Sequence, residues 1–128
     1  MRGVFLDTAT VNQQDLDLTS LTSTLPDWSL RSHTPANEIT EAIRDATIVV
    51  SNKVMLGREI LQGTASLKLI CVAATGTNNV DMDASRERGI TVCNARGYAT
   101  TSVVEHVFSV MLAFSRQSAR YQKAVLEG

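Results

Sequence analysis

Short aliphatic runs alternate along the chain with stretches whose apolar residues recur every three or four positions. Val4-Phe5-Leu6 reads as a strand. Residues 28–32 alternate apolar and polar side chains, the pattern of an edge strand. Residues 47–50 and 67–73 are near-continuous β-branched and aliphatic runs, as expected for strands buried on both faces of a parallel sheet. Ile90-Thr91-Val92-Cys93 supplies a fifth strand. Between these runs lie helical patterns. A weak one covers residues 12–23, with Leu16, Leu18 and Leu21 as its apolar positions. A second starts at Thr34-Pro35 and runs through Arg44, with Ile39, Ala42 and Ile43 on one face. Residues 58–62 form a short helix closed by Gly63, and residues 81–88 another, with Gly89 in the position that follows a helix C-cap. Residues 100–126 read as one long helix.

Strands separated by helices imply parallel pairing through right-handed crossovers. Five of them predict an α/β fold: a flavodoxin-like five-stranded parallel sheet with helices on both faces, plus a long C-terminal helix. The expected division is a flavodoxin-like domain over residues 1–99 and the long helix over 100–128. Val104, Val107, Phe108, Met111, Leu112 and Ser115 share one face of that helix, and Val103, Val110 and Phe114 widen it. A helix apolar on more than one face needs further cover, so a homodimer through residues 103–114 is expected.

Composition narrows the function classes. The chain has 128 residues, 44% hydrophobic and 20% charged, which suits one globular core. The net charge of −1 gives no electrostatic reason to expect nucleic acid or an anionic membrane as partner. No apolar run is long enough to span a bilayer. The N-terminus has neither a long apolar segment nor a small-residue cleavage site, so a cytoplasmic protein is expected. Cys71 and Cys93 both sit in apolar runs and are expected as buried free thiols. Neither is spaced with a histidine as a zinc site requires, and no metal is expected.

In open α/β sheets, ligands bind beyond the carboxyl ends of the strands. That rule selects residues 7–9, 51–54, 74–79 and 94–98. Gly76 allows close approach of backbone to a ligand, and successive N–H groups around it could form an anion nest. Lys53 adds a positive charge and Tyr98 a hydroxyl on a rigid ring, a set that fits a small carboxylate. Thr75, Asn78 and Asn79 are equally ordinary turn residues, so the loops alone leave function and plain turn both open.

Three segments sharpen the choice: residues 73–81 (AATGTNNVD), 88–94 (RGITVCN) and 98–106 (YATTSVVEH). In order and spacing they resemble motifs of the D-2-hydroxyacid dehydrogenases. Gly97-Tyr98-Ala99-Thr100 and Ser51-Asn52-Lys53 look most like the glycerate dehydrogenase (hydroxypyruvate reductase) branch. The resemblance implies an oxidoreductase that transfers a hydride between NAD or NADP and a small 2-hydroxy or 2-oxo acid, glycerate/hydroxypyruvate or glyoxylate. It implies that Asn52, Lys53, Thr75 and Gly76 bind the substrate carboxylate and that Tyr98 lines the substrate pocket. Thr75 and Thr101 match positions near the nicotinamide. The family's G-x-G-x-x-G loop is not found, since Gly76, Gly89 and Gly97 do not fit its spacing. The family's catalytic Arg, Glu and His fall beyond residue 128, so no catalytic residue is assigned and the chain alone is expected to be inactive. His106 and Glu105 match a structural Glu-His pair. Asp81 and Asp83 are expected as helix caps, Arg86 and Arg88 as a solvated face, and Arg96 as a residue at the ligand rim. A rival of another class is the receiver-like signalling module of the same fold. That module needs an acidic cluster after the first strand and an aspartate after the third, where this chain has Asp7 alone and Ser51-Asn52. A binding-only domain is the remaining alternative.

Overall fold

Five four-residue strands carry the architecture: β1 (Arg2–Phe5), β2 (Asp27–Leu30), β3 (Ile48–Ser51), β4 (Leu69–Val72) and β5 (Thr91–Asn94). The computed structural model describes residues 1–13 and 15–128. All strand pairs are parallel, in the order β2-β1-β3-β4-β5. The helices are α1 (Thr19–Thr22), α2 (Ile39–Ile43), α3 (Arg58–Gln62), α4 (Met82–Glu87), α5 (Thr100–Ser115) and α6 (Ser118–Glu127). The expected doubly wound fold is therefore present. The chain divides into two compact units, Met1–Arg96 and Gly97–Gly128.

In the first unit, Val4, Val49, Ile70 and Val92 lie in register across four strands and share one face. Ile39 and Ile43 of α2, Leu61 of α3 and Ala84 of α4 join the same cluster. These helices have five or six residues each, too short to persist alone in water. Burial holds them: each large aliphatic side chain removed from water contributes about 1.5–3 kcal/mol before entropy costs. On the opposite face Trp28 lies across Gly3. A Cβ at residue 3 would fall 2.6 Å from the indole ring, so only glycine fits there. Gly89 takes φ +66° after α4, the left-handed conformation that ends a helix.

Three expectations need correction. Of the weak helix over residues 12–23, only Thr19–Thr22 is helical, and residue 14 lies outside the described residues. Asn12 Oδ1 accepts the N–H groups of Asp15 and Leu16, and Asp17 Oδ1 that of Thr19. Such side-chain acceptors offer the backbone an alternative to a helical ladder. The cysteines are not buried: Cys71 is half-buried and Cys93 exposed. They alternate onto the sheet face opposite Ile70 and Val92. The long helix is two helices, broken at Gln117, which has φ 52° and ψ 38°. Ser115 Oγ donates to the Leu112 carbonyl as the first helix ends, and Ser118 opens the second. No helix among the described residues is long and apolar enough to cross a membrane.

Candidate functional site

The site is built from the loop after β3 and the loop after β4, and Asp7 fixes the first of them. Asp7 follows β1 and is 1% exposed. Its carboxylate accepts the Asn52 N–H at 2.9 Å (Oδ1) and 3.1 Å (Oδ2), and the Lys53 N–H at 2.6 Å (Oδ2). Burying a carboxylate costs several kcal/mol unless donors satisfy it; these two amides do so. The turn is tightened further by the Val54 N–H, which donates to Ser51 Oγ at 3.0 Å, and by Asn52 Nδ2, which donates to Thr10 Oγ1 at 3.0 Å. Sequence reasoning placed Asp7 only in a strand-end loop. Its role could have been suspected from an acidic residue directly after a central strand whose neighbour ends in a polar turn.

A second set of bonds joins this loop to the next. Leu56 N–H donates to the Asn79 carbonyl at 2.7 Å, and Asp81 N–H to the Leu56 carbonyl at 3.0 Å. Leu56 and Val80 form an isolated parallel bridge. The buried Asn79 adds a bond from Nδ2 to the Val54 carbonyl at 3.1 Å. Asp81 also caps α4, accepting the Ala84 N–H at 2.8 Å, whereas Asp83 does not cap but pairs with Arg86 at 2.8 Å. Beyond Gly76, Asn94 at the end of β5 donates to the Thr75 carbonyl at 2.6 Å.

These bonds close a pocket of about 140 Å³ between the two loops. Asn52, Lys53 and Met55 line one side; Ala74, Gly76, Asn78 and Asn79 line the other. An adjoining groove of about 380 Å³ shares Lys53 and Met55 and runs past His33, Thr34 and Ile39. Lys53 is exposed and forms no ion pair among the described residues. The N–H groups of Ala74, Thr75, Gly76 and Thr77 donate to no acceptor among the described residues. Of these residues Ala74 and Gly76 line the small concavity with Lys53, and an ammonium beside uncommitted amide donors favours an anion. Gly76 is not in the left-handed region, so these amides do not form a nest of the alternating kind. Its small size matters instead: a Cβ there would sit 3.0 Å from Asn78 Oδ1.

Asn52, Lys53 and Gly76 thus line one pocket, and Thr75 is exposed in the same loop. Asn52 spends its amide nitrogen on Thr10. Tyr98 and Thr101 belong to the second unit, Tyr98 in the turn before α5 and Thr101 in its first turn, both exposed. Arg88 is more than a solvated charge, since its guanidinium donates to the Thr64 carbonyl. No cluster of three or more potential metal ligands occurs among the described residues.

Residues 5–126 match the family model described as D-isomer specific 2-hydroxyacid dehydrogenase, catalytic domain. The chain belongs to this family. The resemblance drawn from the three motifs therefore holds over nearly the whole chain. Among 2-hydroxyacid dehydrogenase relatives, glycerate dehydrogenase of Methylorubrum extorquens is 44% identical over 91 residues, covering 71% of this chain and 29% of that protein. Hydroxypyruvate reductase of Blautia hydrogenotrophica is 32% identical over 131 residues, covering 100% of this chain and 40% of that protein. An acyclic imino acid reductase solved in complex with NADPH and D-Arg has the same fold, with TM-score 0.81 and 18% identity, covering 100% of this chain and 41% of that one. The chain spans less than half the length of each of these proteins.

Proposed function

We propose that this chain supplies the substrate-carboxylate site of an oxidoreductase that moves a hydride between NAD(P) and a small 2-hydroxy acid, with glycerate/hydroxypyruvate or glyoxylate as substrate. The observation that carries the reading is the pocket in which Lys53 faces the Gly76 loop and its uncommitted amides. A carboxylate seated there accepts from Thr75 and Gly76 N–H and pairs with the Lys53 ammonium, while Asn52 forms the wall. Anchoring the carboxylate fixes the adjacent carbon, so a reacting partner meets it in one orientation. Tyr98 and Thr101 are assigned to substrate and cofactor on motif resemblance alone.

The residues present do not fit a dinucleotide. Phosphates are held by a glycine-rich turn at a helix N-terminus. Among the described helices only α3 has a glycine at its N-cap, Gly57, and no further glycine accompanies it in the pattern a phosphate-binding turn requires. The 128-residue chain is therefore expected to bind the acid yet show no NADH-dependent reduction of hydroxypyruvate. Calorimetric titration tests the binding. Hydroxypyruvate should bind the chain, and Lys53→Ala should weaken it about tenfold, the equivalent of ~1.4 kcal/mol for one charge-assisted contact. Equal affinity in the variant, or equal binding of uncharged glyceraldehyde, would refute the reading.

We further propose that the protein is a homodimer through α5. Val103, Val107, Phe108, Met111 and Phe114 are all exposed, and no residue of the helix is buried. Burying five such side chains contributes on the order of 1.5–3 kcal/mol each before entropy costs. Light scattering at micromolar concentration should report twice the chain mass; a monomer would count against it.

A further inference from the structure

Two thiols lie side by side outside the carboxylate pocket. Cys71 of β4 and Cys93 of β5 are register partners on neighbouring parallel strands. Their sulfurs are 3.4 Å apart, and both are free. Cys93 is exposed and Cys71 half-buried beside it. Neighbouring strands run about 4.7–4.9 Å apart, inside the ~4.4–6.8 Å range of Cα separations that a disulfide bridges. Two side chains pointing the same way from register partners can close that bond by rotation about their own χ1 angles, with the strands left in place.

We propose that Cys71 and Cys93 are a paired-thiol oxidation site, converted to an intramolecular disulfide by a hydroperoxide. The exposed Cys93 is the attacking group. Its thiolate sulfur bonds to the terminal oxygen of the hydroperoxide, the O–O bond breaks, and the alcohol leaves after taking a proton. Cys93 is then a sulfenic acid, oxidised by two electrons, and the peroxide is reduced by two. Cys71 sulfur next attacks the Cys93 sulfur. The S–S bond forms, the S–O bond breaks, and the hydroxyl leaves as water with the Cys71 proton. The balance is two thiols and one hydroperoxide giving one disulfide, one alcohol and one water. The division of roles agrees with the Cys71 thiol, pushed up to about 12 by burial and by its neighbour Cys93, which keeps it protonated at neutral pH and unsuited to first attack. Asn94, the next residue of β5, donates to the Thr75 carbonyl, so Cys93 is one residue along the strand from the bond that anchors the Gly76 loop.

The test is treatment of the 128-residue chain with hydrogen peroxide at neutral pH, followed by thiol counting in denaturant and peptide mapping. The expected result is loss of both thiols, a mass lower by two hydrogen atoms, a Cys71–Cys93 cross-linked peptide, and full recovery with dithiothreitol. In Cys71→Ser the Cys93 sulfenic acid should persist and be trapped by dimedone. Sulfinic acid at Cys93 with Cys71 still free overturns the proposal. So does a disulfide between chains, or two intact thiols after excess peroxide.

Discussion

Replacing Asp7 by alanine removes the acceptor that holds the turn after β3. Two backbone amides, Asn52 and Lys53, then lose a carboxylate partner at 2.6–3.1 Å. Hydrogen bonds to charged groups are worth about 1.5–3 kcal/mol each. The turn is partly exposed, so water recovers some of that loss, and the lower end, ~3 kcal/mol for the pair, is the expected cost. For a unit of this size each kcal/mol lowers Tm by about 4–8 °C, so Tm should fall by ~12–24 °C. Asp7→Asn keeps one acceptor oxygen but sets an NH2 group against a donor, and should cost nearly as much. Thermal unfolding gives the global figure. Amide hydrogen exchange gives the local one: Asn52 and Lys53 should lose protection first, and hydroxypyruvate affinity should fall with them. A loss under ~1 kcal/mol, with both amides still protected, would refute Asp7 as the organiser of the site.

Gly3→Ala should destabilise the chain by about 1–3 kcal/mol, the usual cost of overpacking, because its Cβ meets the Trp28 ring at 2.6 Å; an unchanged urea midpoint would contradict the contact. The Cys71 thiol is raised from 9.0 to about 12, so the folded chain holds a proton there that the unfolded chain releases. Its stabilising contribution is complete below pH 9 and is lost as pH rises toward 12. Denaturation series across that range should show a decline that Cys71→Ala lessens. The Arg58 guanidinium, 2.5 Å from Glu87, holds the Glu87 carboxyl below its ordinary value. Its contribution is present above that ordinary value and lost as pH falls through the lowered one. NMR titration of Arg58→Ala should move the Glu87 midpoint upward; no movement would discount the pair.

Most of the sheet was legible because β3 and β4 fall in near-continuous apolar runs and the short helices between strands repeat at helical spacing. The edge position of β2 followed from its alternation, and α3 with its closing Gly63 from a single turn signal. The break in the C-terminal helix was not legible. Gln117 adopts the left-handed conformation without glycine or proline, and the polar run over residues 115–118 holds no residue that ends a helix by type. The region before α1 escaped because Asn12 and Asp17 satisfy backbone donors that a helix would otherwise use. The cysteines were misread because an apolar run does not say which sheet face a residue takes, and the face carrying Cys93 is exposed. At the candidate site, Lys53 and Gly76 stood out by residue type. Asp7 did not, since its function depends on the adjacency of β1 and β3, and so do the Leu56–Asn79 bonds that join the two loops.

An amide-resolved NMR titration with glyoxylate probes the anion site most directly. Binding should shift the backbone signals of residues 74–77 and the Lys53 side-chain ammonium, saturably and together, and leave the far ends of the strands unmoved. Saturable binding that leaves residues 74–77 untouched, or no binding at millimolar acid, would contradict the account.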